Sequence, residues 1–347
     1  MLGQLIVMGL ATGCLYALIA LAMVIIYKTA EILNFSQGEL AMVAAYIAFL
    51  LLDTLGLPFW AALPLTFLFA MALGALCELL FLQPARERAR VIPLALLWSF
   101  TGFVLYLALF VDPGVPASLA LIVLVFAIWM TAETFSKRPM RKPTLLGLII
   151  ITLGLEMVLY GGAGGIWGSS QERLPSPVSD TTGIELGNIY LSGLDLITFG
   201  GSVLIMVLLF LFFRYSRLGI AMKATAQNPL ASRLMGIRPA RIYSFTWALA
   251  ALVGAFAGLL TAASQPLDNN LMMEPLLKGF AAAVLGGMHS LAGAVLGGCL
   301  LGVIESLVAG YLPDGTQYKS TVAFMIIVLV LCIRPSGLLG HHYVKKV

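Results

Sequence analysis

Charge is what this sequence is short of. Only 10% of its 347 residues are charged, against 61% hydrophobic, whereas soluble domains carry about 25% charged residues. The chain therefore lacks the polar surface of a soluble globular enzyme, and disorder and nucleic-acid binding are excluded with it. Cysteine is sparse as well. Cys14, Cys77, Cys299 and Cys332 sit singly in apolar runs, without CxxC or metal-ligand spacing, so they read as small buried hydrophobes and no metal site is expected. The histidines are His289, His341 and His342, and GxxxxGK[ST], GxSxG and HExxH are missing. Those gaps remove a phosphate-cradling loop, a nucleophile elbow and a zinc protease site. No enzymatic chemistry is expected, and transport is what remains.

Long apolar runs are what the sequence has instead. A spanning helix needs about 20 mostly apolar residues. Candidate spans run over 4–27, 38–52, 58–82, 92–111, 116–134, 144–162, 194–213, 242–264, 276–288, 291–310 and 320–333. The fold class is thus an all-α polytopic membrane protein. The second and ninth spans are short, as broken or re-entrant segments are. The opening Met1-Leu2-Gly3-Gln4 has no basic region before its apolar run, so the first span is expected to be retained and not cleaved as a signal peptide.

Lys and Arg set the expected orientation. With the N-terminus outside and strict alternation, 17 of the 20 basic residues fall inside: Lys28, Arg86, Arg88, Arg90, Lys137, Arg138, Arg141, Lys142, Arg214, Arg217, Lys223, Arg233, Arg238, Arg241, Arg334, Lys345 and Lys346. Arg173, Lys278 and Lys319 fall outside, and the C-terminus is inside; the reverse topology inverts the ratio. The polar outer segment 163–193, broken by Pro175 and Pro177, is either a docking surface or a connector. The inner segment 214–241 spaces Leu218, Met222 and Ala226, then Leu230, Leu234 and Ile237, as two short amphipathic helices split at Asn228-Pro229. Its Pro and helical spacing favour an element that meets another protein over a basic loop resting on lipid.

Inside the spans, small residues and a few carboxylates stand out. Gly9/Gly13, Gly254/Gly258, Gly293/Gly297 and Gly298/Gly302 have the spacing that lets helix backbones approach closely. The run Gly286, Gly287, Gly293, Gly297, Gly298 and Gly302 marks a tight hairpin around Met288-His289-Ser290. Glu156 and Glu305 lie within apolar runs, where an ionisable group is costly and either faces a cavity or is a hydrogen-bonded structural carboxyl. Glu78 lies near the inner end of its span and is expected to pair with Arg86 or Arg88. The second span opens with Asn34, Phe35, Ser36, Gln37, Gly38 and Glu39, in which Ser36 and Glu39 have capping-box spacing. A helix N-terminus there is either a binding point for an anionic group or an ordinary cap.

Three stretches carry a resemblance. Gly9–Tyr46, containing Asn34-Phe35-Ser36-Gln37-Gly38-Glu39, the inner loop Thr225–Ile237, and the Gly-rich Gly279–Gly298 resemble the permeases of branched-chain amino acid ABC importers, and the first looks like the LivH-type subunit. The resemblance covers roughly 1–83 and 144–340. It implies about nine core helices in a single permease domain over 1–347, in the inner membrane of a prokaryote. The partners implied are ATP-binding subunits, a second permease subunit (LivM-type or a second copy of this chain), an external solute-binding protein and membrane lipid. ATP would be bound by the partner subunits, with no cofactor on this chain. Asn34 to Glu39, Glu156 and Glu305 become substrate-path residues. Asn228, Pro229, Leu230, Ala231, Ser232, Arg233, Leu234, Met235 and Gly236 become the loop coupled to the ATPase. That loop resembles the family's EAAxxxG pattern, with Leu230 at the acidic position and Ser232 at the third. A further departure is an extra stretch over 92–142, which reads as two inserted, lipid-facing helices turning at Asp112–Pro116. The transported solute could be a branched-chain amino acid, urea, an amide or an organic acid. A stand-alone secondary transporter or channel for polar solutes, and a non-transporting scaffold, are the alternatives.

Overall fold

A computed structural model describes residues 2–87, 125, 128, 145–168, 170–175, 183–186, 189–312, 315–334 and 336–340. The two helices expected over 92–142 lie outside the described residues. The chain divides into two units, one of residues 1–75 with 152–347 and one of residues 76–151.

Among the described residues, seven helices are long and apolar enough to cross a membrane: Leu2–Ala30, Gln37–Thr54, Phe59–Arg86, Leu145–Trp167, Gly193–Tyr215, Pro239–Ser264 and Leu291–Tyr311. The chain is a polytopic, mostly helical membrane protein. Its elements are α1 (Leu2–Ala30), α2 (Gln37–Phe49), α3 (Phe59–Cys77), α4 (Gln83–Glu87), α5 (Leu145–Trp167), α6 (Gly193–Tyr215), α7 (Arg217–Gln227), α8 (Pro229–Leu234), α9 (Pro239–Ser264), α10 (Met273–Gly286), α11 (Leu291–Tyr311) and α12 (Gly315–Ile333). Two strands, β1 (Gly183–Leu186) and β2 (Ile189–Ser192), form an antiparallel hairpin.

The second span is longer than its sequence suggested. α2 continues through a π-helical turn, Leu50–Thr54, and reaches 18 residues. By contrast α10 has 14 residues, too few to cross alone. The outer segment 163–193 also differs from a plain loop. Its first residues extend α5 to Trp167, and its last form the hairpin, whose alternation Ile184-Glu185-Leu186 and Ile189-Tyr190-Leu191 suits two short strands. Gln4 holds the hairpin to α1: its Nε2 donates to the Tyr190 carbonyl at 2.8 Å and its Oε1 accepts from the Tyr190 N–H at 2.9 Å.

α1 is apolar all round, and such a helix belongs in the interior. Residues Leu18 to Ile26 are each 2% exposed or less. α1 packs against α6, α9, α10 and α11. In lipid there is no hydrophobic force between apolar helices, so association depends on close packing. Glycine supplies it. A Cβ on Gly9 would lie 2.7 Å from the Val303 Cα, one on Gly13 would lie 2.8 Å from the Cys299 Cα, and one on Gly302 would press into the Gly9 carbonyl and the Gly13 backbone. The second unit has its own ion pair: Arg86 donates from Nη1 to the fully buried Glu78 at 2.8 Å.

The glycine contact is directly testable. Gly302→Val should destabilise the protein by about 1–3 kcal/mol through overpacking. Gly154→Ala on α5, where an added Cβ meets nothing within 4 Å, should be neutral or stabilising by up to about 1 kcal/mol. Melting curves of the detergent-solubilised protein distinguish the two.

Candidate translocation site

The site begins where the chain turns back after α1. Glu31 takes a left-handed φ of 55°, and six residues later α2 starts at Gln37. Asn34, Ser36 and Gln37 are 0%, 0% and 1% exposed. Polar groups so deeply buried need partners, and they form a chain. The Ser36 hydroxyl donates to Asn34 Oδ1 at 2.7 Å, Asn34 Nδ2 donates to Gln37 Oε1 at 3.2 Å, and Gln37 Nε2 donates to the Ala250 carbonyl of α9 at 3.0 Å. Thr152 of α5 joins the same turn, donating to the Leu33 carbonyl at 3.2 Å and accepting from the Phe35 N–H at 3.4 Å.

This arrangement corrects one expectation. Ser36 does occupy the N-cap position of α2, but its hydroxyl caps nothing. Its ψ of 6° departs from the extended geometry a capping side chain requires, and its hydroxyl donates to the buried Asn34 oxygen. The capping box with Glu39 is therefore not formed. Glu39 is 8% exposed, and its Oε2 has no hydrogen-bond partner. Glu156, half-buried on the face of α5 that bears Thr152, lies within electrostatic reach of it. Phe35 packs against Phe280 of α10 at 6.2 Å between ring centroids, and Gly38 faces Met272 and Leu276. A Cβ on Gly258 of α9 would lie 2.5 Å from the Ala41 carbonyl, so α2 and α9 touch at backbone level.

Glu305 belongs to a different cluster. Lys278 of α10 lies 2.9 Å from its Oε1 and donates to its Oε2 at 3.0 Å. Tyr16 of α1 donates to the same Oε2 at 2.9 Å and accepts from Lys278 at 3.1 Å. The exposed Glu274, one turn before Lys278, completes the set at 2.6 Å. The topology count put Lys278 outside, yet it is 2% exposed within a helix. A sequence signal existed: one lysine in the ninth apolar span and one glutamate in the tenth. Substrate-path candidates thus separate into a cation-bearing cluster at Glu305 and a cation-free one at Glu39 and Glu156, among the described residues.

The glycine run shapes the hairpin beside Lys278. Gly286 and Gly293 meet backbone to backbone, Gly297 faces the Ala282 carbonyl, and Gly298 faces Ala17 of α1. Gly287 turns the chain at a φ of 102°, which suits glycine. The Leu338 and Leu339 N–H groups donate to the Leu285 and Gly286 carbonyls at 2.8 and 3.1 Å, satisfying the end of α10.

On 214–241 the chain forms α7 and α8. Asn228 Oδ1 accepts from the Leu230 and Ala231 N–H groups at 3.0 Å each, and Pro229 takes the first helical position, where its missing N–H costs nothing. At the other end the Gly236 and Ile237 N–H groups donate to the Arg233 and Ser232 carbonyls, with Gly236 at a φ of 83°. That is a Schellman ending, which explains a glycine there. Met222 and Ser232 are buried, whereas Leu218, Leu230, Leu234 and Met235 are exposed, Leu234 and Met235 by 84% and 83%. The apolar faces expected of both helices are thus only partly covered, and α8 carries its apolar side chains outward beside Arg233.

A helical membrane bundle with buried polar clusters and a projecting apolar helix between basic residues has the layout of a transport permease. The family described as "Branched-chain amino acid transport system / permease component" matches residues 5–114 and 103–331, and the chain belongs to that family. It is 29% identical over 343 residues to the high-affinity branched-chain amino acid transport system permease protein LivH of Escherichia coli K12, covering 98% of this chain and 96% of LivH. It is 30% identical to BraD of Pseudomonas aeruginosa, covering 99% and 97%. Similarity to LivM of E. coli K12 is 26%, covering 94% of this chain and 68% of LivM. The expected family and its LivH-like character are thereby established.

The Lys278–Glu305 pair should show the asymmetry of buried charges. Lys278→Met alone should cost about 3–5 kcal/mol by leaving a carboxylate without its cation, and Lys278→Met with Glu305→Gln should recover most of it. Thermal denaturation of the three purified proteins is the check.

Proposed function

We propose that this chain is a membrane-spanning permease subunit of a binding-protein-dependent ABC importer, located in a prokaryotic inner membrane. It forms part of the path for branched-chain or related amino acids. Membership of the family carries the reading, and full-length similarity to LivH and BraD supports the solute class. ATP is hydrolysed on partner subunits and no cofactor is held by this chain. A LivM-type permease completes the path, and a solute-binding protein delivers to the outer face. The N-terminus is outside and the C-terminus inside, as the distribution of Lys and Arg favours.

In this reading Asn228 to Gly236 couple the permease to the ATPase. α8 offers Leu230, Leu234 and Met235 as an apolar knob that a groove on the partner would cover. The cap at Asn228 and the glycine ending at Gly236 hold the knob in one shape. Asn34 to Glu39 with Glu156 line the path.

Affinity purification of the tagged chain from its host, with partners identified by mass, tests the reading. Recovery of P-loop ATPases and a second permease is the expected result, and a homo-oligomer with neither would refute it. Leu234→Asp should reduce ATPase recovery at least tenfold, while Leu204→Asp on the exposed face of α6 should leave that interaction intact in whatever protein inserts. Deletion of 92–138 should preserve assembly and uptake.

A further inference from the structure

Two carboxylates near the start of α2 have no described cation paired to them. Glu39 is more than nine-tenths buried, with Oε2 unpartnered, and Glu156 stands one turn beyond Thr152, whose hydroxyl bonds the Leu33–Phe35 turn just before α2. Among the described residues no Lys, Arg or His forms an ion pair with either. Glu305 meets the opposite circumstance, with the Lys278 ammonium beside both its oxygens. Buried charge is retained where it is compensated. At Glu305 the protein supplies the compensation; at Glu39 and Glu156 it does not.

We infer that Glu39 and Glu156 receive a primary ammonium group, that of a zwitterionic α-amino acid passing through the path. This rests on the permease reading above and narrows it, because urea, amides and organic acids bring no such group. The surroundings fit an aliphatic amino acid. Phe35, Phe280, Met272 and Leu276 lie beside the start of α2 and offer apolar contact. The chain from Ser36 through Asn34 and Gln37 to Ala250 fixes that start in place. An ammonium on Glu39 Oε2 gains a charge-assisted hydrogen bond that no described residue provides.

The complete complex with its ATPases, second permease and binding protein, in liposomes, is the test. Glu39→Gln and Glu156→Gln should each lower leucine uptake at least tenfold at saturating binding protein, and Glu39→Asp should recover part of it. A second measurement needs only the wild-type complex. An apolar carbodiimide should modify Glu39 and Glu156, mapped by peptide mass, and leucine should protect them while 4-methylpentanoate, which lacks the ammonium, should not. Equal protection by both compounds, or wild-type uptake by Glu39→Gln, would overturn the inference. So would a wild-type complex that imports an uncharged solute, although it would leave the permease reading standing. A wild-type complex that imports neither class and binds no ATPase would instead sink that reading.

Discussion

Everything in the main unit is arranged around the near contact of α1 with α11. Two apolar helices in lipid gain nothing from leaving water, so their association must come from dispersion at short range and from the few polar groups they share. Gly9 and Gly13 on one helix and Gly298 and Gly302 on the other remove the side chains that would hold the axes apart. The Ser306 hydroxyl then reaches the Leu5 carbonyl at 2.6 Å across the same seam. With that seam closed, Tyr16 is carried to Glu305, and the α10–α11 hairpin brings Lys278 to both. The charged cluster is therefore a consequence of glycine packing, and it also reinforces the packing.

The two carboxylate clusters illustrate how a membrane interior sorts ionisable groups. Glu305 has its own ammonium, a phenol and a neighbouring helix, a closed arrangement that favours a structural role. Glu39 follows a polar turn whose hydrogen bonds are satisfied internally and by Ala250 and Thr152, which leaves its Oε2 as the unmatched atom, and Glu156 lies one turn beyond Thr152 with no described cation paired to it. The apolar runs marked Glu156 and Glu305 as costly and Glu39 read as a capping residue, so only geometry separates the compensated from the uncompensated.

Much of the helical layout was legible because lipid imposes a simple length rule. Most described spans fall within a few residues of their apolar runs. Asn228-Pro229 also announced the break between α7 and α8, since both residues have one strongly preferred place at a helix start. What the sequence hid depended on partners distant in the chain. Ser36 and Glu39 have capping spacing, yet Ser36 lacks the extended backbone of a capping residue, so its oxygen accepts from no helix N–H and its hydroxyl donates to Asn34. Lys278 read as a boundary charge because its partners, Tyr16 and Glu305, stand 262 and 27 residues away. The hairpin of β1 and β2 escaped notice because two four-residue strands give too short an alternation to outweigh a loop reading.

The position of α9 gives these pieces a mechanical relation. It starts at Pro239, directly after the Gly236 ending of α8, and rises as one unbroken helix to Ser264. Eleven residues along it, a rise of about 16 Å at 1.5 Å per residue, the Ala250 carbonyl accepts from Gln37. Gly254 then faces the Gln37 side chain, and Gly258 holds α2 at backbone distance. Only Ile237 and Arg238 separate α8 from Pro239 at the first position of α9. The elements bearing on α9 at its far side are those that position Asn34, Gln37 and Glu39. One continuous helix therefore joins the exposed α8 to the polar turn at Asn34 and Gln37.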